Sequence, residues 1–84
     1  MKRRHAKTLA AIFSRPTPGS IPWSDIESML RALGADIQER EGSRIAVVLF
    51  GEVRVFHRPH PSRDTDKGAV VSIRNWLEEN GETP

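Results

Sequence analysis

Residues 42–57 read Gly-Ser-Arg-Ile-Ala-Val-Val-Leu-Phe-Gly-Glu-Val-Arg-Val-Phe-His. A Gly42-Ser43 turn opens a run, Arg44 to Phe50, that is apolar and rich in β-branched residues, the composition of a central strand. Gly51-Glu52 then reads as a tight hairpin turn. Beyond it Val53, Val55 and His57 alternate with Arg54, Phe56 and Arg58, the period of two that defines a strand. Pro59 and Pro61 end that strand by removing amide donors. Upstream, Ala35, Ile37 and Glu39 alternate with Asp36, Gln38 and Arg40, which predicts an edge strand over residues 35–41. Three strands joined by short links form an antiparallel meander.

Helical signals flank the meander. Leu9, Ile12 and Phe13 predict a short helix over about Arg4 to Ser14, closed by Pro16 and Pro18-Gly19. Ser24-Asp25-Ile26-Glu27 matches a capping box, with Ser24 accepting from the Glu27 amide and Glu27 reaching back. Trp23 before it serves as an apolar staple. Ile26, Met29, Leu30 and Leu33 follow at helical spacing, and Gly34 supplies the stop. After a polar loop from His60 to Asp66, Thr65 or Asp66 caps a last helix. Ala69, Val70, Ile73, Trp76 and Leu77 share one face of it, and Gly81 follows. The expected fold class is α+β, with the helices packed on one face of a three-stranded antiparallel sheet. The boundaries expected are a basic helix and loop over 1–20, a main domain over 21–81 and a frayed tail over 82–84.

Eighty-four residues make one domain. There is no cysteine, so neither disulfides nor thiolate metal sites support the fold. No apolar run is long enough to span a membrane, and Leu9 to Phe13 is too short for the core of a signal peptide. Net charge is only +2, but its distribution is uneven. Lys2, Arg3, Arg4, Lys7 and Arg15 give residues 1–15 a charge of +5 with no acid. Residues 24–42 sum to −3, while Arg44, Arg54, Arg58, Arg63 and Lys67 gather around the hairpin and the loop after it. Such basic surfaces attract a polyanion.

The chemistry-bearing residues cluster at the end of the third strand. His57 and His60 are three apart, and a histidine there can act as acid or base near neutral pH. RNA cleavage needs little more. A base takes the proton of a ribose 2′-hydroxyl, the oxygen attacks the adjacent phosphorus, and cations steady the phosphorane. Arg44, Arg58, Arg63 and Lys67 are the candidate cations. The structural alternatives are a core-edge strand residue for His57 and a solvated loop residue for His60. Two histidines without a third ligand at useful spacing make a poor zinc site. Lys67-Gly68 at the head of the last helix offers free amides, the positive end of the helix dipole and close approach for a phosphate. The bland reading of that pair is an ordinary helix start. No Ser-His-Asp set or phosphate-binding glycine loop of the Walker type is present.

Read together, the helix from Trp23 to Leu33, Glu41-Gly42-Ser43-Arg44, His57-Arg58-Pro59-His60-Pro61 and Asp66-Lys67-Gly68-Ala69-Val70 resemble, over residues about 22–81, the HicA toxins. These are small mRNA interferases of bacterial toxin–antitoxin systems. The resemblance implies a fold like the double-stranded-RNA-binding domain. It implies mRNA and a HicB-like antitoxin as partners, action in the bacterial cytoplasm, and no membrane, metal or small-molecule cofactor. If the chain cleaves RNA, His60 is the expected acid/base with His57 its competitor, and Ser43, Arg44, Arg58, Lys67 and Gly68 are the expected contacts to RNA phosphate. The family pattern places its catalytic histidine directly after Gly-Ser, where this chain has Arg44. Arginine stays protonated in proteins and does not shuttle protons. The alternatives are therefore a module that binds RNA or antitoxin without cutting, and a protein–protein adaptor using an exposed sheet edge or the apolar part of the last helix.

Overall fold

The computed structural model describes all residues, 1–84. In chain order it contains α1 (Arg3–Ile12), α2 (Trp23–Ala32), β1 (Asp36–Glu39), β2 (Arg44–Leu49), β3 (Glu52–His57) and α3 (Lys67–Glu79). The sheet is antiparallel with spatial order β1-β2-β3. β2 is thus the central strand, as its unbroken apolar run requires. The α+β class read from the sequence is the class observed.

Alternation along β2 and β3 decides which face is covered. Ile45, Val47 and Leu49 are buried and share one core with residues from all three helices. That core includes Leu9 and Ile12 of α1, Ile26, Met29 and Leu30 of α2, and Val70, Ile73, Trp76 and Leu77 of α3. The helices therefore cover one face of the sheet. On β3 the covered face carries Arg54 and Phe56, with Arg58 continuing the alternation just past the strand, while Val53 and Val55 are exposed on the other. His57, on the face of Val53 and Val55, is exposed and not at the core edge. Beneath the covered face Trp23, Phe56 and Trp76 form a run of aromatic contacts, with ring centroids 5.8 and 6.3 Å apart.

The structure corrects three local expectations. The hairpin turn lies one residue earlier than Gly51-Glu52, because Leu49 pairs with Glu52 and leaves Phe50-Gly51 as the loop. Both turn residues have positive φ, 55° and 72°, the geometry that suits a right-twisted two-residue hairpin. The cost of that conformation at a phenylalanine is offset by packing, since Phe50 meets Trp76 edge-on at 5.6 Å. Glu52 belongs to β3, where its carboxylate accepts from the Trp76 indole N–H at 2.9 Å. The capping box does not form. α2 begins at Trp23 with Pro22 in the cap position and no side-chain cap bond, because Glu27 is drawn inward to Arg58 and the Trp23 indole. Asp66 stands at the cap position of α3, but neither it nor Thr65 makes a side-chain capping bond.

α1 is fastened to the rest at its C-terminal end. The buried Arg74 of α3 donates from Nε to the Ile12 carbonyl at 2.8 Å and from Nη2 to Thr17 Oγ1 at 2.8 Å. A cation against the last carbonyls of a helix is favoured by the helix dipole. Residues 1–20 thus share the core and the hydrogen bonds of the main domain.

Candidate functional site

The site is built where β3 leaves the sheet. Arg58 N–H donates to the Ser43 carbonyl at 2.8 Å, which makes 43 and 58 a hydrogen-bonded pair. The next pair, Arg44 opposite His57, is then of the non-hydrogen-bonded kind, in which facing side chains lie closest. Both side chains are exposed. The residue after Gly42-Ser43 and the last histidine of β3 therefore stand side by side on the uncovered face of the sheet.

The chain then turns through Pro59 into the loop that holds His60. This loop is tied to the approach to α2 by two backbone bonds, Trp23 N–H to Arg63 O and Thr65 N–H to Ile21 O, each 2.8 Å. A cleft of about 270 Å³ opens between this loop and the end of β3. His57 and His60 both line it, as do Asp64 and Asp66. No group of three or more His, Asp or Glu side chains converges in a way that would hold a metal ion.

The remaining predicted contacts are placed differently. Ser43, Arg44, Lys67 and Gly68 do not line this cleft, although Arg58 does. Lys67 and Gly68 open α3, as expected, and leave its first-turn amides without a side-chain cap. A Cβ on Gly68 would lie 3.2 Å from Asp66 Oδ2, so glycine makes room there for the Asp66 carboxylate. The Lys67 stem lies against Gly19, where an added Cβ would come within 3.3 Å of its Cε.

Arg58 is the most heavily engaged group in the site. Its Nε and Nη2 donate to Glu27 at 2.8 and 3.2 Å, and its Nη1 and Nη2 donate to Glu39 at 2.6 and 2.8 Å. Two carboxylates thus each take the guanidinium fork in bidentate fashion. Glu27 also accepts from the Trp23 indole and lies 3.6 Å from Arg31. Burial alone would raise the Glu27 pKa, but hydrogen bonds from Arg58 and Trp23 and the charges of Arg58 and Arg31 outweigh it. The net result is a carboxyl held below its ordinary range. The Arg58 hydrogen bond likewise lowers Glu39, and Arg58 itself is raised, first by Glu27 and then by Glu39. With four of its donor contacts used, Arg58 joins β3 to α2 and β1.

Reasoning from sequence missed both partners of Arg58. Glu27 carried a signal: it falls four residues after Trp23 on the apolar stripe of α2, where an acid must find a buried cation. Glu39, on an exposed edge strand, carried none.

A family model described as the HicA toxin of bacterial toxin–antitoxin systems matches residues 23–81. No curated protein and no solved structure matches the chain.

Proposed function

The chain belongs to the HicA toxin family, and on that premise we propose that it is an RNA-binding toxin that cleaves mRNA without a metal and is silenced by a HicB-like antitoxin. The carrying observation is the placement of two histidines in one cleft, one of them directly across the ladder from the residue that follows Gly42-Ser43. The order α2-β1-β2-β3-α3 with helices on one face supports a fold of the double-stranded-RNA-binding kind. No helix of this chain is long and apolar enough to cross a membrane; the cytoplasm as its place of action follows from the toxin reading.

In this reading His60 acts as base on the 2′-hydroxyl, whose oxygen attacks the adjacent phosphorus. His57 returns a proton to the departing 5′-oxygen. The products are a 2′,3′-cyclic phosphate and a 5′-hydroxyl, and no water is consumed in that step. Arg44, beside His57, offers two fork donors to the phosphorane oxygens. Lys67, Gly68 and the first amides of α3 hold a neighbouring phosphate. Ser43 acts through its carbonyl, which fixes Arg58 N–H and hence the direction of the His57 side chain. Arg58 positions the histidines by anchoring the strand between them, with its own charge balanced by Glu27 and Glu39.

The test is expression of single variants with RNA cleavage measured in parallel. His60→Ala abolishes growth arrest and cleavage and leaves the thermal melt unchanged. Undiminished toxicity removes His60 from the mechanism. The second reading is a module that binds RNA or antitoxin without cutting, and Arg44 at the family's histidine position favours it. In that case purified protein retains RNA in a salt-dependent manner and generates no cyclic phosphate ends.

A further inference from the structure

The most basic segment of the chain lies outside residues 23–81 and faces a groove of its own. α1 carries no acid, and the ion pairs of the protein involve Arg31, Arg54 and Arg58 but none of Lys2, Arg3, Arg4 or Lys7. Arg4 and Lys7 lie on one stripe of α1 and line a groove of about 370 Å³ between α1 and α2. Its other polar walls are the His5 imidazole and the hydroxyl residues Thr8, Ser14, Ser20 and Ser28, with Asp25 the one carboxylate. Toward the N-terminal end of α1 a second, more open hollow shares Arg4 and Ser28 and adds Lys2 and Arg31.

These hollows connect to the histidine cleft. A further hollow on the exposed side of α2 shares Ser28 and Arg31 with the α1 side. It shares Trp23, Arg58 and Pro59 with the cleft of His57 and His60, and adds Arg63. Hollow by hollow, shared lining residues lead from the histidines, past Arg63 and Arg31, to Arg4 and Lys7, a line we read as one depression. From Arg4 to Ala11 the α1 side alone extends about 10 Å at the helical rise of about 1.5 Å per residue, room for more than one nucleotide.

We propose that this depression is a track for the RNA strand, with Arg63, Arg31, Arg4 and Lys7 contacting phosphates that flank the one held at the histidines. The proposal rests on the RNA reading given above and extends it to a helix that lies outside the matched region. Arg4, Lys7 and Arg63 make no ion pair and Arg31 is only loosely paired, 3.6 Å from Glu27; such exposed cations along a groove suit phosphate oxygens. A protein partner instead requires pockets for aromatic or large aliphatic anchors, and the α1–α2 groove has no aromatic wall other than the His5 imidazole, with Ala11, Pro18, Ile21 and Pro22 its apolar members.

The test uses the full chain and fluorescence anisotropy on labelled single-stranded RNAs of about 4 and about 12 nucleotides, lengths that bracket a short-site and a full-track ligand. Arg4→Glu/Lys7→Glu should weaken binding of the longer RNA roughly tenfold or more near 0.1 M salt and lower the salt slope by about 1.4, two single-strand phosphate contacts. Affinity for the shorter RNA should change less than twofold. Arg3→Glu, on α1 but off the groove, should weaken the longer RNA less than Arg4→Glu does. Equal affinity and slope in the double variant and the parent overturn the track. Loss of antitoxin binding alone, with RNA binding kept, also overturns it and assigns the groove to protein. Parent protein that binds the longer RNA but cuts none ends the cleavage reading and leaves the track to be judged on binding. Parent protein that binds neither RNA ends both. Should the double Glu variant fail to melt cooperatively, Arg4→Gln/Lys7→Gln gives the same comparison without charge reversal.

Discussion

Arg58 and Glu27 join the end of β3 to the middle of α2 through two hydrogen bonds, at 2.8 and 3.2 Å. The Glu27 side chain is only 8% exposed, against 68% for Glu39 on the other side of the same guanidinium. The two acids are therefore unequal. Glu27 is the buried member, whose loss leaves Arg58 held by the exposed Glu39 alone and the Trp23 indole N–H without its partner. Glu39 is a solvent-facing member of the kind that contributes little to stability.

Glu27→Gln keeps the shape and removes the charge. It should lower unfolding free energy by about 1–3 kcal/mol, the range for a charged hydrogen bond lost in a buried setting. Glu39→Gln should shift the urea midpoint much less. Equal midpoint shifts would refute the asymmetry. Because Arg58 stands between His57 and the loop of His60, Glu27→Gln should also reduce RNA cleavage beyond its effect on stability.

The same carboxylates set an acid limit. Both have folded pKa values below the ordinary 4.5. A carboxyl with a depressed folded value binds fewer protons folded than unfolded, so its contribution is complete above about pH 4.5 and is lost as pH falls through the folded value. Stability should therefore be flat in this respect at neutral pH and decline in the acid range below 4.5. Arg58, raised further above its ordinary value, stays charged throughout and adds no basic limb. Glu27→Gln should flatten the acid decline, and a denaturant midpoint measured at pH 3, 4, 5 and 7 reads it directly.

Arg74 gives a third prediction. It is 4% exposed, no carboxylate pairs with it, and its donors satisfy the Ile12 carbonyl and Thr17. Arg74→Met keeps the stem and strands those acceptors, at a cost of about 2 kcal/mol. Amide exchange should accelerate in α1 more than in β2. A uniform increase across the chain would mean that Arg74 supports the whole core and not α1 in particular.

How far this could be read from the residues depended on whether the signal was local. The period of two in Arg44–His57 and the apolar stripes of α2 and α3 are local, and they led to the right class and strand order. The capping box failed because a distant residue, Arg58, outbid the local amide for Glu27. The hairpin turn slipped by one because Gly51 marks a positive φ, but Phe50 beside it is held in the same region by Trp76, 26 residues on. His57 and His60 were nameable by type and spacing, while their common cleft depends on the bonds from Arg63 and Thr65 back to residues 21–23. The groove between α1 and α2 had only an unbalanced charge count as its signal, because which cations share a wall is a property of helix packing.

Arg44 carries the last prediction. Arg44→His places a histidine after Gly42-Ser43, directly across the ladder from His57 on an exposed face. The backbone there needs no change, since Arg44 is an ordinary strand residue and an imidazole is smaller than the side chain it replaces. If the family's base belongs at this position, the variant gains a proton acceptor beside His57 and loses a phosphate contact. Cleavage of mRNA should then rise and become insensitive to His60→Ala, while affinity for RNA falls and its salt slope drops by about 0.7, one single-strand contact. A variant that loses affinity without gaining any cleavage would show that Arg44 serves this protein as a phosphate ligand and that the acid–base work lies wholly in the cleft of His57 and His60. Cleavage kinetics on the Arg44→His and Arg44→His/His60→Ala pair separate these outcomes.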